Sequence, residues 1–458
     1  MLLKRLWRTD IRHIRGYSSR NIMKLHERGF YEDIFPETSK QEVIDLLNAS
    51  PQCVYAGFDP TSDSLHVGNL LVLMNLLHWQ RGGHKVIALV GGATGRIGDP
   101  SGRTTERPEL QPTFIHDNVH MIKKNIQCIF NNHEQYIWKK NISSRTLIPP
   151  MIVDNLEWYT QQNVVDFVSH VGRHFRLGTM LSRHSVQSRL SSEVGMSFTE
   201  FCYQLFQAYD WLHLLQKYNC KFQVGGSDQM GNIVSGHDLI SRVADVKVYG
   251  LTLPLVTTET GHKFGKSEDN AVWLDANKSS PFELYQFFVR CRDSEVEKLL
   301  KLFTFQSSGK IEDIMFKHQR NPEHRIAQKI LAEQVTLLVH GEQGLEMALK
   351  STSALYDHNI ESLVQLKAQD ISSIFQGAKT CELLLEPGTT TLEVALKAGC
   401  FTNERDAVRI ISAGGFYINH QRVTKTDEVL TDAVHILPNN VTLIRVGKKN
   451  YYVVRWLK

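Results

Sequence analysis

Apolar and polar residues alternate along this chain in two rhythms. Short apolar runs that end in glycine- or aspartate-rich loops are separated by long stretches of helical period. The runs "VYAGFDP" (54–60), "KVIALVGG" (85–92), "FQVGGSDQMGN" (222–232) and "LTLPL" (251–255) predict buried strands. Helical signals cover about 21–34 and 37–48, then 110–140 and 160–217. Strands with long helical connections predict an α/β fold with a Rossmann-like parallel sheet, whose ligands collect at the carboxyl ends of the strands. Past "LDANKSSP" (274–281) the glycine loops stop, and 282–378 is mostly helical in pattern. "EPGTTT" (386–391) reads as a linker, and 391–458 as a small α+β unit. No internal repeat is present.

The first residues follow a different pattern. Leu2, Leu3, Leu6, Trp7, Ile11 and Ile14 recur at near-helical spacing among Lys4, Arg5, Arg8, Arg12 and Arg15, against the single acid Asp10. An arginine-rich, acid-poor amphipathic segment predicts a mitochondrial transit peptide over 1–17, in preference to a basic nucleic-acid arm. Its removal takes away a net charge of +4 (five positive, one negative), the formal charge of the whole 458-residue chain. The remainder is near neutral, so basic patches must be judged locally. A composition of 42% hydrophobic and 22% charged residues excludes disorder, and no apolar run is long enough to span a membrane. Seven cysteines, an odd number without metal-finger spacing, predict free thiols in a reducing compartment. Motifs for zinc, for a Walker A lysine and for a covalent serine elbow are missing from the sequence.

Three stretches carry chemistry. In "FDPTSDSLHVGNLL" (58–71), His-x-Gly runs straight into a helix pattern. Such a helix start suits a phosphate, with His66 as donor and Gly68 letting a bulky group approach. The same stretch also reads as a turn in which Asp63 or Ser64 caps the helix. In "KFGKS" (263–267), Lys263 and Lys266 flank Phe-Gly and precede Ser267, which suits a polyphosphate or a solvated turn. In "SFTEFCYQLFQAYDWLHLL" (197–215), Tyr203, Gln207 and Asp210 fall on one stripe of a helix. Phe206 and Trp211 flank that stripe and Leu214 lies within it, so it is a poor face for water and a reasonable pocket wall.

"HVGN" (66–69) and "KFGKS" resemble the paired HIGH and KMSKS signatures of class I aminoacyl-tRNA synthetases. With "YAGFDPTSDSLHVGN", "ALVGGATGRIGDPSGR", "SVQSRL", "SFTEFCYQLFQAYD", "QVGGSDQMGNI" and "HKFGKS", in that order over about 54–270, the chain resembles the tyrosyl-tRNA synthetase family of the bacterial and mitochondrial type. The resemblance implies a tyrosine–tRNA ligase that works on L-tyrosine, ATP with its Mg²⁺, and mitochondrial tRNA(Tyr), as a homodimer in the mitochondrial matrix. No protein-bound metal and no membrane are expected.

Residue by residue, the resemblance gives Tyr55 and Asp210 to the substrate hydroxyl. It gives Asp99, Tyr203 and Gln207 to the ammonium group, and Gln229 to the carboxylate. Gly57, Asp59, Gly68, Asn69, Gly226 and Asp228 would lie against ATP. Thr61 and His66 would stabilise the pyrophosphate side, with Arg103, Arg107, Lys263, Lys266 and Ser267 closing on the phosphates. The implied domains are catalytic (18–281), α-helical and anticodon-binding (282–385) and small RNA-binding (386–458). An insertion at about 110–195, with "VDNLEWY" and "VGRHFRLGTMLSR", would form the dimer face. Lys397, Arg405, Arg409 and Arg422 are candidate RNA contacts.

The chain departs from the family pattern at Asn69, where the signature has a second histidine, at Ala56 and Val72, where relatives carry polar residues near the ribose, and at Met230. The related tryptophanyl-tRNA synthetases are disfavoured by Tyr55 with Asp210. A non-catalytic RNA-binding protein on the same scaffold is disfavoured by the intact signature stretches.

Overall fold

The computed structural model describes residues 20–102, 105, 110–139, 146–192, 195–257, 264–265, 271–356, 364, 379–432, 434–447 and 450–457. The expected leader and the candidates Arg103, Arg107, Lys263, Lys266 and Ser267 lie outside them. Two compact units form: one runs up to Ser279 and includes Gln286–Gly341, and the other comprises Ser280–Tyr285 and Glu342–Lys458.

The first unit is built on a six-stranded sheet of β1 (Ile34–Phe35), β2 (Cys53–Phe58), β3 (Lys85–Val90), β4 (Met151–Asp154), β5 (Phe222–Gly226) and β6 (Tyr249–Leu253). Its order is β1-β6-β5-β2-β3-β4, parallel except for β1, which runs antiparallel to β6. From β2 the chain winds outward to β3 and β4, then returns to the other side of β2 for β5 and β6. The winding therefore reverses between β2 and β5, where such sheets open a crevice beyond their carboxyl ends.

The apolar runs became buried strands because helices cover both faces. These include α1 (Lys40–Ala49), α2 (Val67–Arg81), α3 (Pro112–Asn132), α4 (Phe198–Tyr218) and α5 (Met230–Val243). Behind the β2–β5 crevice, Trp211, Ala208, Leu212 and Leu214 of α4 pack against Tyr55, Ile87 and Ile233.

Three expectations change. The signal at 21–34 yields only a 3₁₀ turn at Ile22–Arg28 before β1. The stretch 160–217 is not one helix: short helical pieces between Val164 and Leu190 precede α4. The strand β4 had no expectation at all, because a four-residue strand after two prolines is too short to show a period.

Beyond the sheet come α6 (Pro281–Val289), α7 (Asp293–Phe303), α8 (Ser308–Arg320) and α9 (Ile326–Tyr356). The compact unit built on the sheet continues past 282, since α7 and α8 belong to it. One reason is Arg28, whose guanidinium donates to the carbonyls of Lys301, Thr304 and Gln306 at 2.5 to 2.9 Å. The division falls at Gly341, where φ of 69° breaks α9. Asn132 of α3 donates to the carbonyls of Leu338 and Val339 just before that break.

The second unit holds a five-stranded sheet ordered β7-β11-β10-β8-β9, from β7 (Lys379–Leu384), β8 (Phe416–Ile418), β9 (Gln421–Val423), β10 (Val441–Val446) and β11 (Asn450–Leu457). β7 pairs parallel to β11, so this sheet begins ahead of the boundary expected at 386. The helices α10 (Thr391–Lys397) and α11 (Glu404–Ser412) bring Val394, Ala407 and Ile411 to a core with Phe416, Ile444, Val454 and Trp456.

Candidate active site

The opening of α2 shows how the sequence places the phosphate end. The cap of this helix is His66 itself, in place of Asp63 or Ser64. Its Nδ1 accepts from the Gly68 N–H at 3.0 Å, while the Asn69 side chain accepts from the His66 N–H at 3.1 Å. An Nδ1 that accepts leaves the proton of the neutral ring on Nε2, a donor at the positive end of a helix. Gly68 serves this cap directly: a Cβ there would lie 2.8 Å from the imidazole. Asn69, in the place of the signature's second histidine, closes the capping box.

A cavity of about 790 Å³ lies at the carboxyl ends of the strands. Its wall contains Tyr55, Gly57, Asp59, Thr61, His66, Gly68, Asn69, Asp99, Tyr203, Gln207, Asp210, Gly226, Asp228 and Gln229. Every described cavity candidate from the sequence is therefore brought together. Val72 lines the cavity as well, whereas Ala56 is buried outside its wall. No group of three or more His, Cys, Asp or Glu among the described residues is placed to hold a metal ion.

At one end, Asp210 of α4 is only 2% exposed. Asn155 Nδ2 and Trp158 Nε1 each donate to its carboxylate at 3.0 Å. Burial raises its pKa to about 7, and the donors from Asn155, Tyr159 and Trp158 offset only part of that rise. The Tyr55 hydroxyl is buried with no hydrogen-bond partner among the described residues. Burial, reinforced by the Asp210 charge, pushes that phenol well above its usual value. A fixed carboxylate and an unsatisfied hydroxyl in one apolar end make a receptor for a group that both donates and accepts.

Deeper links join this end to the middle of the cavity. Asn155 also donates to Thr94 Oγ1 at 3.0 Å, Thr94 donates to Asp59 at 2.7 Å, and the Tyr203 hydroxyl donates to the other Asp59 oxygen at 2.7 Å. Asp59 was expected against ATP; among the described residues its carboxylate anchors Tyr203 and Thr94. Asp99 accepts from Gln229 at 2.7 Å, from the Ser101 N–H at 2.9 Å and from Asn232 at 3.3 Å. Tyr203 and Asp210 are buried, so the stripe on α4 is a pocket wall and not a solvated face.

Thr94, Asn155 and Trp158 escaped the sequence reading. Asn155 and Trp158 lie in "VDNLEWY", which was expected at the dimer face; they are 0% and 6% exposed, turned onto Asp210 at the end of β4. A polar residue just after a strand in this fold was the available signal, and β4 itself was not seen.

The four RNA candidates sit in the second unit. Lys397 pairs with Glu386 at 3.1 Å and Arg409 with Asp406 at 2.8 Å. Arg422 donates to the carbonyls of Gly414 and Ala413. Arg405 is exposed on α11.

Comparison with known proteins agrees with this geometry. The family model "tRNA synthetases class I (W and Y)" matches residues 47–357, and the "Tyrosine--tRNA ligase SYY-like C-terminal domain" matches 370–454. The mitochondrial tyrosine–tRNA ligase of Drosophila melanogaster is 58% identical over 443 residues, 96% of each chain. The chain belongs to the tyrosyl-tRNA synthetase family. The human mitochondrial tyrosine–tRNA ligase is 48% identical over 436 residues, 94% of this chain and 91% of that one. Among solved structures, a C-terminally truncated mitochondrial tyrosyl-tRNA synthetase of Aspergillus nidulans superposes with a TM-score of 0.67 at 33% identity, covering 73% of this chain and 94% of that one. Membership in the tyrosyl-tRNA synthetases accounts for a cavity lined by hydrogen-bonding groups and glycines: aminoacyl activation asks a protein to align two substrates, not to attack either.

Proposed function

We propose that the protein is a mitochondrial tyrosine–tRNA ligase. It activates L-tyrosine with ATP to tyrosyl-adenylate and then transfers the tyrosyl group to the 3′ end of tRNA(Tyr). The observation that carries this reading is the pairing of buried Asp210 with the unsatisfied Tyr55 hydroxyl, in a cavity whose wall also holds the His66 helix cap.

The phenol hydroxyl donates to Asp210 and accepts from Tyr55. Phenylalanine would leave the Tyr55 hydroxyl unpaired, at about 1–3 kcal/mol, and would leave Asp210 with only its bonds from Asn155 and Trp158. Tyr203, Gln207 and Asp99 hold the ammonium group, and Gln229 lies beside the carboxylate. The substrate carboxylate oxygen attacks the α-phosphorus of ATP; the bond from that phosphorus to the bridging oxygen breaks, and pyrophosphate leaves with its electrons. His66 Nε2–H and Thr61 meet the charge that gathers there, together with Arg103, Arg107, Lys263, Lys266 and Ser267. Gly57, Gly68, Asn69, Gly226 and Asp228 bound the nucleotide. Mg²⁺ enters with ATP, held by phosphates and water.

The second unit and the helices before it grip the tRNA. Exposed pairs such as Arg409 with Asp406 are weak enough to exchange an acid for a phosphate. The homodimer would use the large apolar side chains left exposed at Val164 (74%), Val165, Val168, Leu177 and Phe198 (80%). The basic leader and the mitochondrial relatives support a location in the matrix.

The test is amino-acid-dependent ATP–pyrophosphate exchange by protein lacking residues 1–17, with Tyr, Phe and Trp compared. Exchange with Tyr alone is expected. Folded protein that exchanges with none of them would end the enzyme reading.

A further inference from the structure

Phe264 is the one aromatic residue in the polar run "HKFGKSEDN", yet it is only 7% exposed. Its ring lies 4.9 Å from that of Phe287 and 5.9 Å from those of Phe288 and Phe303. Phe287 and Phe288 are at the end of α6 and Phe303 closes α7. These rings also touch one another, with centroids 5.1 Å apart for Phe287 and Phe288 and 5.8 Å for Phe288 and Phe303. Phe264 and Phe303 both reach the cavity wall.

The backbone beside this ring is fixed on its other side to the start of α2. The Phe264 N–H donates to the Val256 carbonyl at 2.8 Å, and the Val272 N–H donates to the Gly265 carbonyl at 3.0 Å. Val67 N–H then donates to the Val272 carbonyl at 2.9 Å, and Leu274 N–H to the Leu65 carbonyl at 2.8 Å. Gly265 has φ of +84°, and a Cβ there would lie 2.9 Å from Val67 Cβ. One two-residue turn therefore touches both the helix that His66 caps and the aromatic ends of α6 and α7.

We propose that Phe264 is a positioning residue for the ATP half of the reaction: its ring, packed among Phe287, Phe288 and Phe303, sets the Phe264–Gly265 turn against the start of α2. Lys263 and Lys266 are covalently next to the two residues held in this way. The tyrosine end, built from Asp210, Tyr55 and Asn155, has no part in the contact. A shift of the aromatic cluster should therefore reach ATP and leave tyrosine untouched. A ring that merely filled core space would not separate the two substrates. The proposal rests on the activity put forward above.

The experiment is ATP–pyrophosphate exchange with full titrations of both substrates, on the wild type, Phe264→Ala, Phe264→Leu, Phe303→Ala and the double Phe264→Ala/Phe303→Ala. Phe264→Ala should lower kcat/KM for ATP by about ten- to a hundredfold, since small misplacements of aligned groups have effects of that size. KM for tyrosine and equilibrium tyrosine binding should stay at wild-type values. Phe264→Leu, which refills most of the slot, should restore most of the loss. The double variant should be no worse than the poorer single one, because either change empties the same contact. An unchanged ATP dependence, a parallel loss of tyrosine binding, or multiplying losses in the double variant would each overturn the proposal. Should Phe264→Ala not fold, Phe264→Leu and Phe303→Ala carry the same comparison of the two substrates. Exchange missing from the wild type would overturn the underlying activity instead, so the two failures are told apart.

Discussion

In the catalytic cavity Asp59 takes its proton donor Tyr203 from 144 residues away, Asp99 takes Gln229 from 130, and Asp210 takes Asn155 from 55. In the C-terminal unit Lys397 finds Glu386 at a separation of 11 residues, and Arg409 finds Asp406 at 3. The first set of bonds exists only when the whole sheet is assembled, and its members are largely buried. The second needs little more than a local turn, and its members stand in water. Long-range buried bonds fix atoms in place before a substrate arrives, which suits catalysis. Short-range exposed pairs are worth about 0–1 kcal/mol and trade partners easily, which suits a solvent-facing surface rather than a fixed site.

The strongest way to break this contrast is at Asp210. Asp210→Ala should lower kcat/KM for tyrosine by between about ten- and two-hundredfold in pyrophosphate exchange, the range for losing a charged hydrogen-bond partner, and should narrow the gap between Tyr and Phe. Retained preference for Tyr would show that recognition of the hydroxyl lies elsewhere.

The same carboxylate gives a pH signature. Burial raises Asp210 to about 7, above the aspartate value of an unfolded chain, so the ligand-free fold holds this proton more tightly. Its contribution to stability is complete below about pH 4 and is lost as pH rises through about 7. Measured against Asp210→Asn, which cannot titrate, the wild type should lose relative stability across that window. Denaturant midpoints of the two proteins that run parallel from acid to neutral pH would contradict a buried, desolvated carboxylate.

At the other end, Gly68→Ala puts a Cβ against the His66 ring. The cap is worth about 1 kcal/mol, so a rise of about fivefold in KM for ATP is expected, with tyrosine binding unchanged by calorimetry. The smallest effect belongs to the C-terminal pairs. Lys397→Ala and Arg409→Ala should leave the melting temperature and pyrophosphate exchange where they are, while weakening tRNA binding and reducing its salt slope by about one unit each if they meet phosphates. A large drop in melting temperature would show that these pairs hold the unit together.

What the sequence revealed follows the same division. Tyr203, Gln207 and Asp210 were legible because a helix repeats every 3.6 residues and the stripe was flanked by apolar side chains. The strands β2, β3, β5 and β6 were legible because a sheet covered on both faces reads as apolar runs. Asn155 and Trp158 were not, since their strand is four residues long and their partner is half a hundred residues away. The histidine cap of α2 was missed because side chains with short oxygens usually fill that role. Basic residues in 391–458 were visible, but the pairing of Lys397 with Glu386 and of Arg409 with Asp406 was not, because pairing is a property of the fold and not of the count.

The two-residue strand β1 has a consequence for the order of events. It closes the open edge of β6 through Ile34 with Leu251 and Phe35 with Gly250, segments more than two hundred residues apart. A chain made or threaded from its N-terminus exposes Ile34 and Phe35 long before Leu251 exists. Until then those two residues wait unpaired, and once β6 forms, its outer row of amides stays available to any passing strand until they dock. The strand that closes this edge of the sheet is thus the first of its strands to appear.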